Sequence, residues 1–375
     1  MFTKYFAIII LTFAVINSSE ARFASGSYDN NALLINNVLY VSGNNAYHRL
    51  FPIDEPYFSK FVKFANDVKD FSLSGGRISY LTNSGELYYS GWRTNTADVV
   101  NYVLIDNEVT AVDNTELDIY YIKNGVVHKF TPKTGVIEVM QIPELVNSVN
   151  AGSNHIAAKS SISNKVYTFG LNNQGQLCNG NFDNVVAADI EVEGNNTYVL
   201  TNSGEVYGCG NNIYGQFGNV GSSVFTLTQI PNAVNVKSIK STNSGLFLLH
   251  NDGTLSMIGW HNYIGANNSP YNMSRSIKYV PELNQIQEIG TGDSTIYIKD
   301  NYGTITGWGG NMSYMLGDLT NIERHGPVEI TVDLEVEETG EVEICYHDNG
   351  NGKGKGNLKC NKVCTNPSLP CSNKK

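Results

Sequence analysis

Two stretches of this chain, 40 residues apart, carry the same text. They are Asn164-Lys-Val-Tyr-Thr-Phe-Gly-Leu-Asn-Asn-Gln-Gly-Gln-Leu-Cys-Asn-Gly180 and Ser203-Gly-Glu-Val-Tyr-Gly-Cys-Gly-Asn-Asn-Ile-Tyr-Gly-Gln-Phe-Gly-Asn219. A period of this size, built on a short strand between turn signals, is the mark of a chain that stacks small β-sheets side by side. Fainter copies of the strand run along the rest of the sequence: Leu39-Tyr-Val-Ser-Gly43, Leu87-Tyr-Tyr-Ser-Gly91, Val127-His-Lys-Phe-Thr131, Leu255-Ser-Met-Ile-Gly259 and Ile305-Thr-Gly-Trp-Gly309. With the pair above they make seven, separated by 48, 40, 39, 40, 49 and 50 residues.

Most copies follow a turn, as at Asn83-Ser-Gly85, Asn124-Gly125, Asn202-Ser-Gly204, Asp252-Gly253 and Asn301-Tyr-Gly303. Asn/Asp-Gly pairs tolerate positive φ and favour tight hairpins. Upstream of the turns lie further apolar strands, such as Ile78–Thr82, Thr197–Thr201 and Leu246–His250. Each unit is therefore a small antiparallel sheet, and seven of them suggest a closed ring. The copy at Leu39 has no clear partner strand before it. Two alternating runs near the end, Val328–Val336 and Glu341–Cys345, are expected to supply what the first sheet lacks, which would leave few exposed edges. The alternative is an independent acidic hairpin beside an open solenoid. Pro56–Ala65, with aromatics at helical spacing, reads as a short helix packed on the ring.

The segments Gly170-Leu-Asn-Asn-Gln-Gly-Gln-Leu177 and Gly210-Asn-Asn-Ile-Tyr-Gly-Gln-Phe-Gly218 resemble the signature of the regulator-of-chromosome-condensation repeats, and Ala151-Gly-Ser-Asn-His-Ile-Ala-Ala158 resembles that family's Gly-x-x-His-x-x-Ala segment. The resemblance implies an all-β fold, a seven-bladed β-propeller over roughly residues 30 to 345. The paired glycines permit a sharp reversal, and the glutamine amide is expected to tie the loop together. The copies near Val127 and Leu255 lack the Gly-Gln pair, Cys178 replaces the last glycine of the motif, and the strand tryptophan persists only at Trp308.

Residues 1–21 read as a secretory signal peptide: Lys4 as the basic start, an apolar run from Tyr5 to Ile16, and Ser19-Glu-Ala21 as a small-x-small end. The run is short of the roughly 20 residues that span a bilayer, so no membrane span is expected. The propeller is placed at 22–344 and a Cys-, Gly- and Lys-rich tail at 345–375. Secretion, or delivery to an endomembrane lumen, follows. Cys345, Cys360, Cys364 and Cys371 around a glycine–lysine loop read as two disulfides with three possible pairings; a zinc site is the competing reading. Cys178 and Cys209, at different repeat positions, are expected to be separate buried thiols. Asn195, Asn272 and Asn311 head glycosylation sequons, and Asn267 heads a weaker one because Pro270 follows.

The whole chain carries −10; the tail from Cys345 carries +5 and residues 22–344 carry −15. A ring of that sign repels phosphate, so no nucleic-acid partner is expected. The family's founding members act on a small GTPase and chromatin in the nucleus; with a signal peptide and this acidity, no Ran-type GTPase is expected as partner. The sequence has no Gly-x-Ser-x-Gly elbow, no His-Glu-x-x-His and no phosphate-binding loop. His155 sits in the repeat segment and reads as structural, and His128 lies within a strand. Asn301–Trp308 faintly resembles a sialidase Asp-box, yet the six arginines (Arg22, Arg49, Arg77, Arg93, Arg275, Arg324) share no repeat context from which to grip a substrate carboxylate. No catalytic residue, cofactor or metal is assigned.

These readings converge on a secreted, non-catalytic binding scaffold that holds an extracellular protein through loops on one face. A carbohydrate-binding or cell-surface adhesion module is the alternative, with a matrix or coat role and a sialidase-like glycosidase behind it. Tyr47, Tyr214, Tyr263, Tyr271 and Tyr314 lie near strand ends where they would supply rigid contact area. Tyr214 and Tyr263, in related turns after Gly210 and Gly259, are the binding candidates, against the plainer reading that they fill blade-to-blade packing.

Overall fold

The structure, a computed structural model, describes residues 24–333 apart from 28, 47–49, 52, 75, 94–97, 181, 183–184, 219–220, 261–272 and 281–282, together with the strands at 341–347 and 358–364. The expected signal peptide lies outside the described residues, as do Tyr47, Tyr263, Tyr271, Asn267, Asn272 and Cys371. The chain divides into two compact units, residues 1–332 and 333–375.

The first unit is a ring of seven blades. Blade 1 is built from Ala24–Ser27 (β1), Asn30–Ile35 (β2), Val38–Asn44 (β3) and Tyr57–Ala65 (β4). Blade 2 follows with Val68–Ser74 (β5), Arg77–Thr82 (β6), Leu87–Trp92 (β7) and Val99–Asp106 (β8). Blade 3 holds Val109–Asn114 (β9), Ile119–Lys123 (β10), Val126–Thr131 (β11) and Val136–Val139 (β12). Blade 4 has three strands, Val146–Ala151 (β13), His155–Ser160 (β14) and Val166–Gly170 (β15). Blade 5 returns to four, Ala187–Glu193 (β16), Asn196–Thr201 (β17), Val206–Asn211 (β18) and Ser223–Gln229 (β19). Blade 6 comprises Val236–Ser241 (β20), Gly245–His250 (β21), Leu255–Trp260 (β22) and Met273–Tyr279 (β23). Blade 7 closes the series with Ile286–Thr291 (β24), Thr295–Asp300 (β25), Ile305–Gly309 (β26) and Arg324–Glu329 (β27).

The core lies between blades rather than within one layer. Phe71, Ile78 and Tyr80 of blade 2 pack against Leu39, Val41 and Phe64 of blade 1, while Leu81, Leu87 and Tyr89 pack against Val112, Ile119 and Tyr121 of blade 3. Second strands are therefore buried on both faces, which is why β6 and β21 (Gly-Leu-Phe-Leu-Leu-His) are buried at every residue. Blades are also joined through their backbones. The second-to-third-strand turn of one blade accepts from the first residue of the next: Val68 N–H to Asn37 O at 2.8 Å, Val109 to Gly85 at 2.9 Å, Val146 to Gly125 at 2.8 Å, Val236 to Gly204 at 3.1 Å and Ile286 to Gly253 at 3.0 Å.

The repeat glycines have one conformation. Gly43, Gly91, Gly170, Gly210, Gly259 and Gly309 have φ between +98° and +122°, a region essentially closed to other residues. At Gly43, Gly91, Gly210, Gly259 and Gly309 the pairing with the outer strand shifts register, so the glycine makes a bulge. In blade 3, where Thr131 takes its place, β11 and β12 pair without a shift.

Closure differs from expectation in its strands. Blade 1 draws all four from its own segment, and the residues expected to be helical, Pro56–Ala65, form its outer strand β4. Phe61 and Phe64 mimic a helical face because this strand is buried on both faces: residues three apart fall on opposite sides, Phe58, Val62 and Phe64 toward blade 2 and Phe61 toward blade 7. Blade 7 takes β27 as its outer strand, and of the run from Val328 the described residues lend blade 1 only an isolated parallel bridge, Val332 to Phe61 of β4. The seam is sealed by a parallel bridge between Ser25 of β1 and Thr291 of β24 and by Thr331 O, which accepts from Phe61 N–H at 2.8 Å.

In the second unit, Glu341–His347 (β28) pairs antiparallel with Leu358–Cys364 (β29), so the run expected to complete blade 1 has its partner here. Strand β28 straddles the expected boundary at 344/345. Its register sets Cys345 directly opposite Cys360. Opposed residues of an antiparallel pair lie about 4.5–5.5 Å apart at Cα, within disulfide reach. Non-reducing peptide mapping is expected to join Cys345 to Cys360 and leave Cys364 to Cys371; free thiols, bound zinc or another pairing would refute this.

Candidate binding face

Alternating strand directions sort the connections onto two sides. One side has the second-to-third-strand turns, which are short and bonded into the next blade. The other has the first-to-second-strand turns and the third-to-fourth-strand loops, which are long and differ between blades.

Those loops are organised by asparagine. Two residues after the strand glycine, Asn45, Asn172, Asn212 and Asn311 each accept at Oδ1 from the N–H five residues on: Leu50 at 3.0 Å, Leu177 at 2.9 Å, Phe217 at 2.8 Å and Leu316 at 2.9 Å. This folds the loop so that Leu50, Phe217 and Leu316 become buried. The glutamine expected to do this contributes less: Gln176 Oε1 accepts from Gln174 N–H at 2.9 Å, whereas the Gln216 amide is buried with no partner among the described residues. Asn311 is fully buried and donates from Nδ2 to Asp318, Ile322 and Thr320. In the folded ring this expected sequon asparagine organises its loop, and a glycan on Nδ2 would displace those bonds. Asn195 is half-buried, with Oδ1 accepting from Gln176 at 3.4 Å.

Cys178 and Cys209 form a disulfide, 5.4 Å apart at Cα, where separate thiols were expected. The repeat positions differ because the loop of blade 4 reaches across onto blade 5: Ser223 Oγ donates to Gln174 Oε1 at 2.9 Å, and Phe182 joins the core of that blade. The loop cysteine thereby meets the strand cysteine of its neighbour.

On the same side a cavity of about 150 Å³ opens at the ring centre, lined from all seven inner strands. Its walls carry Asp113, Glu116, Glu191, Glu193 and Asp293 beside Lys240. Two of these carboxylates clasp blades together. Asp113 accepts from Ala151 N–H at 3.0 Å and Ser72 Oγ–H at 2.6 Å; Glu191 accepts from Ser241 N–H at 3.0 Å and Lys240 Nζ at 2.8 Å. Asp113 and Glu191 hold the same repeat position and reach the same position of the next blade. They satisfy inner-edge N–H groups that no strand pairs, at about 1.5–3 kcal/mol for a charge-assisted bond. Burial, then Asp293, Glu191 and Asp113, hold the Glu193 carboxyl above the usual range.

His155 is structural, as expected. It is buried, its Nε2 lies 2.9 Å from Thr197 Oγ1, and burial lowers its pKa to about 4, keeping the ring neutral. Among the described residues no group of three His, Cys, Asp or Glu side chains is placed to hold a metal, and no helix is long and apolar enough to cross a membrane.

Tyr214 stacks on Trp260 of the next blade, ring centroids 4.9 Å apart and planes 14° apart, and both are half-buried. Tyr314 tilts against Tyr57 across the blade 7–blade 1 seam at 5.8 Å. Each tyrosine thus packs between blades while keeping part of its ring on the loop side. Trp260 and Tyr57 gave no sequence signal, since each gains its place from a neighbouring blade.

No protein-family model matches the sequence, and no curated protein does. Solved structures match in fold. Prp20p from Saccharomyces cerevisiae, described with its binding properties to Gsp1p and histones, superposes with a TM-score of 0.67 at 13% identity, over 93% of this chain and 94% of that one. The same yeast protein, named there as RCC1 and bound to Kap60, gives 0.64 at 14% identity over 90% and 89%. This chain has the yeast RCC1 fold. The CRINKLY ectodomain of the Arabidopsis thaliana receptor kinase ACR4 is a more distant propeller, with a TM-score of 0.54 at 12% identity over 76% and 94%. At these identities the likeness concerns the propeller's architecture alone.

Proposed function

We propose that this propeller is a secreted, non-catalytic scaffold that holds a partner protein on its long-loop side. The observation that carries the reading is the contrast between the two sides. The short turns are committed to joining blades, whereas the long loops vary in length around rigid asparagine anchors and present Ile213, Met312 and Ile322 exposed. Variable loops on a fixed ring are where recognition concentrates. The half-buried aromatic pairs supply rigid contact area beside them, and the acidic centre favours a basic contact surface on the partner. The Cys178–Cys209 bridge supports an oxidising compartment.

Met312 and Tyr302 are equally open, 83% and 82% exposed, on opposite sides of the ring. With a photo-crosslinking residue placed at each in turn, adducts from the protein's own secretory fluid are expected from position 312 alone. Adducts confined to position 302, or turnover of a glycoside abolished by one carboxylate substitution, would overturn the proposal. Tyr214→Ala is expected to weaken capture of that partner about tenfold or more, as at a contact hot spot. Loss of capture only in proportion to lost stability would return Tyr214 to packing alone.

A further inference from the structure

Among the described residues, blade 4 has one strand fewer than its neighbours. Its third strand, Val166-Tyr-Thr-Phe-Gly170, repeats Val206-Tyr-Gly-Cys-Gly210 of blade 5, and the same loop motif follows both. From Gln216 to the next inner strand, at Val236, the chain has 20 residues; from Gln176 to Ala187 it has 11. The nine missing residues correspond to β19, the seven-residue outer strand of blade 5.

The gap shows in the backbone and in burial. The leading carbonyl of the third strand accepts from the returning chain in three blades: Val127 O from Met140 N–H, Val206 O from Ile230 N–H and Leu255 O from Val280 N–H, each at 2.9 Å. Among the described residues nothing donates to Val166 O. Gly208, Cys209 and Gly210 are buried in β18, whereas Thr168 and Phe169 of β15 are half-buried and Gly170 is exposed. Leu171 and Val186, at the two ends of the shortened segment, are exposed at 53% and 54%. The intervening loop is drawn away from this edge, because the Cys178–Cys209 bridge and buried Phe182 hold it on blade 5.

We propose that the outer edge of β15 is a strand-addition site that takes one extended segment of a partner protein as the fourth strand of blade 4. The chain itself indicates what fits. In the neighbouring blade the equivalent edge is filled by Ser-Val-Phe-Thr-Leu-Thr-Gln, an alternating segment of apolar and hydroxyl residues paired antiparallel to β18. Main-chain bonds supply affinity in such additions, and alternate side chains supply selectivity. The site lies on the outer wall of the ring, apart from the long-loop face, and stands or falls independently of it.

The probe is a synthetic peptide of residues 223–229, added to the full chain. Saturable binding by fluorescence anisotropy is expected, with amide exchange at Thr168 and Gly170, whose N–H groups face the open edge, slowed about tenfold or more and exchange at β12 and β19 unchanged. A Thr226→Pro peptide, which breaks the ladder, should not bind. A chain given its own fourth strand, by inserting nine residues between Val185 and Val186, should fold and lose peptide binding. Absence of saturable binding to the native chain, or equal slowing at other outer edges, overturns the proposal. So does finding the β15 amides as protected in the free chain as those of β18: a monomer by sedimentation would mean that the chain covers its own edge, and a dimer that a second copy does.

Discussion

Gly210→Ala is expected to lower the unfolding free energy by about 3–5 kcal/mol. The residue has φ +122°, where a side chain costs about 1–3 kcal/mol in backbone strain. An added Cβ would also sit 2.2 Å from Asn195 O, a backbone atom on the adjacent strand, and such overpacking adds about 1–3 kcal/mol. The neighbour cannot step aside, because β17 is held by β16 and β18 on either side. Urea unfolding measures the effect. A loss under about 1 kcal/mol, smaller than either contribution alone, would show that the bulge relaxes. Thr131, at the same repeat position without a bulge, supplies the converse: Thr131→Gly should cost the entropy of a strand glycine, about 1 kcal/mol, together with the bond its hydroxyl donates to Asp118, about 1.5–3 kcal/mol.

Replacing Cys178 and Cys209 together by alanine is expected to cost about 3–4 kcal/mol, the loop-closure contribution of a bridge whose cysteines are 31 residues apart. Both cysteines are fully buried, so reduction of the native protein should be slow under mild reductant and become fast only as blades 4 and 5 open. An unchanged urea midpoint in the double variant, or ready labelling of two thiols in the native protein, would show that these cysteines do not bridge.

The repeat was legible because its chemistry is local. Glycine ends six of the seven strands since only glycine accepts a φ near +100° to +120° against a backbone carbonyl at the start of the second strand, and Asn-Gly or Asp-Gly turns announce the hairpins within two or three residues. His155 was readable as structural from its repeat position alone. The long loops were half legible. Asn172, Asn212 and Gln176 stand in the quoted motif, but which amide organises the loop depends on a bond to the N–H five residues on, which residue type does not reveal. Asn311 shows the consequence: as a triplet it is a sequon, and in the fold it is a buried anchor.

Other features depend on partners brought from afar. Strand β1 (Ala-Ser-Gly-Ser) carries no pattern of its own and becomes a strand only between β2 and β24. Phe61 and Phe64 have the spacing of a helix because their strand is buried on both faces, each against a different blade. A step of 40 residues is also ambiguous: blade 2 reaches it with four strands and no Gly-Gln motif, and blade 4 with that motif and three strands.

By itself, then, the sequence determined the number of blades, the hairpin turns and the places where the backbone must bend, because each is decided by neighbours a few residues apart. The tertiary structure alone decided how the ring is sealed, which cysteines meet and which carboxylates clasp adjacent blades. Those outcomes rest on contacts between blades, and a repeated sequence describes each blade without saying what its neighbour will offer.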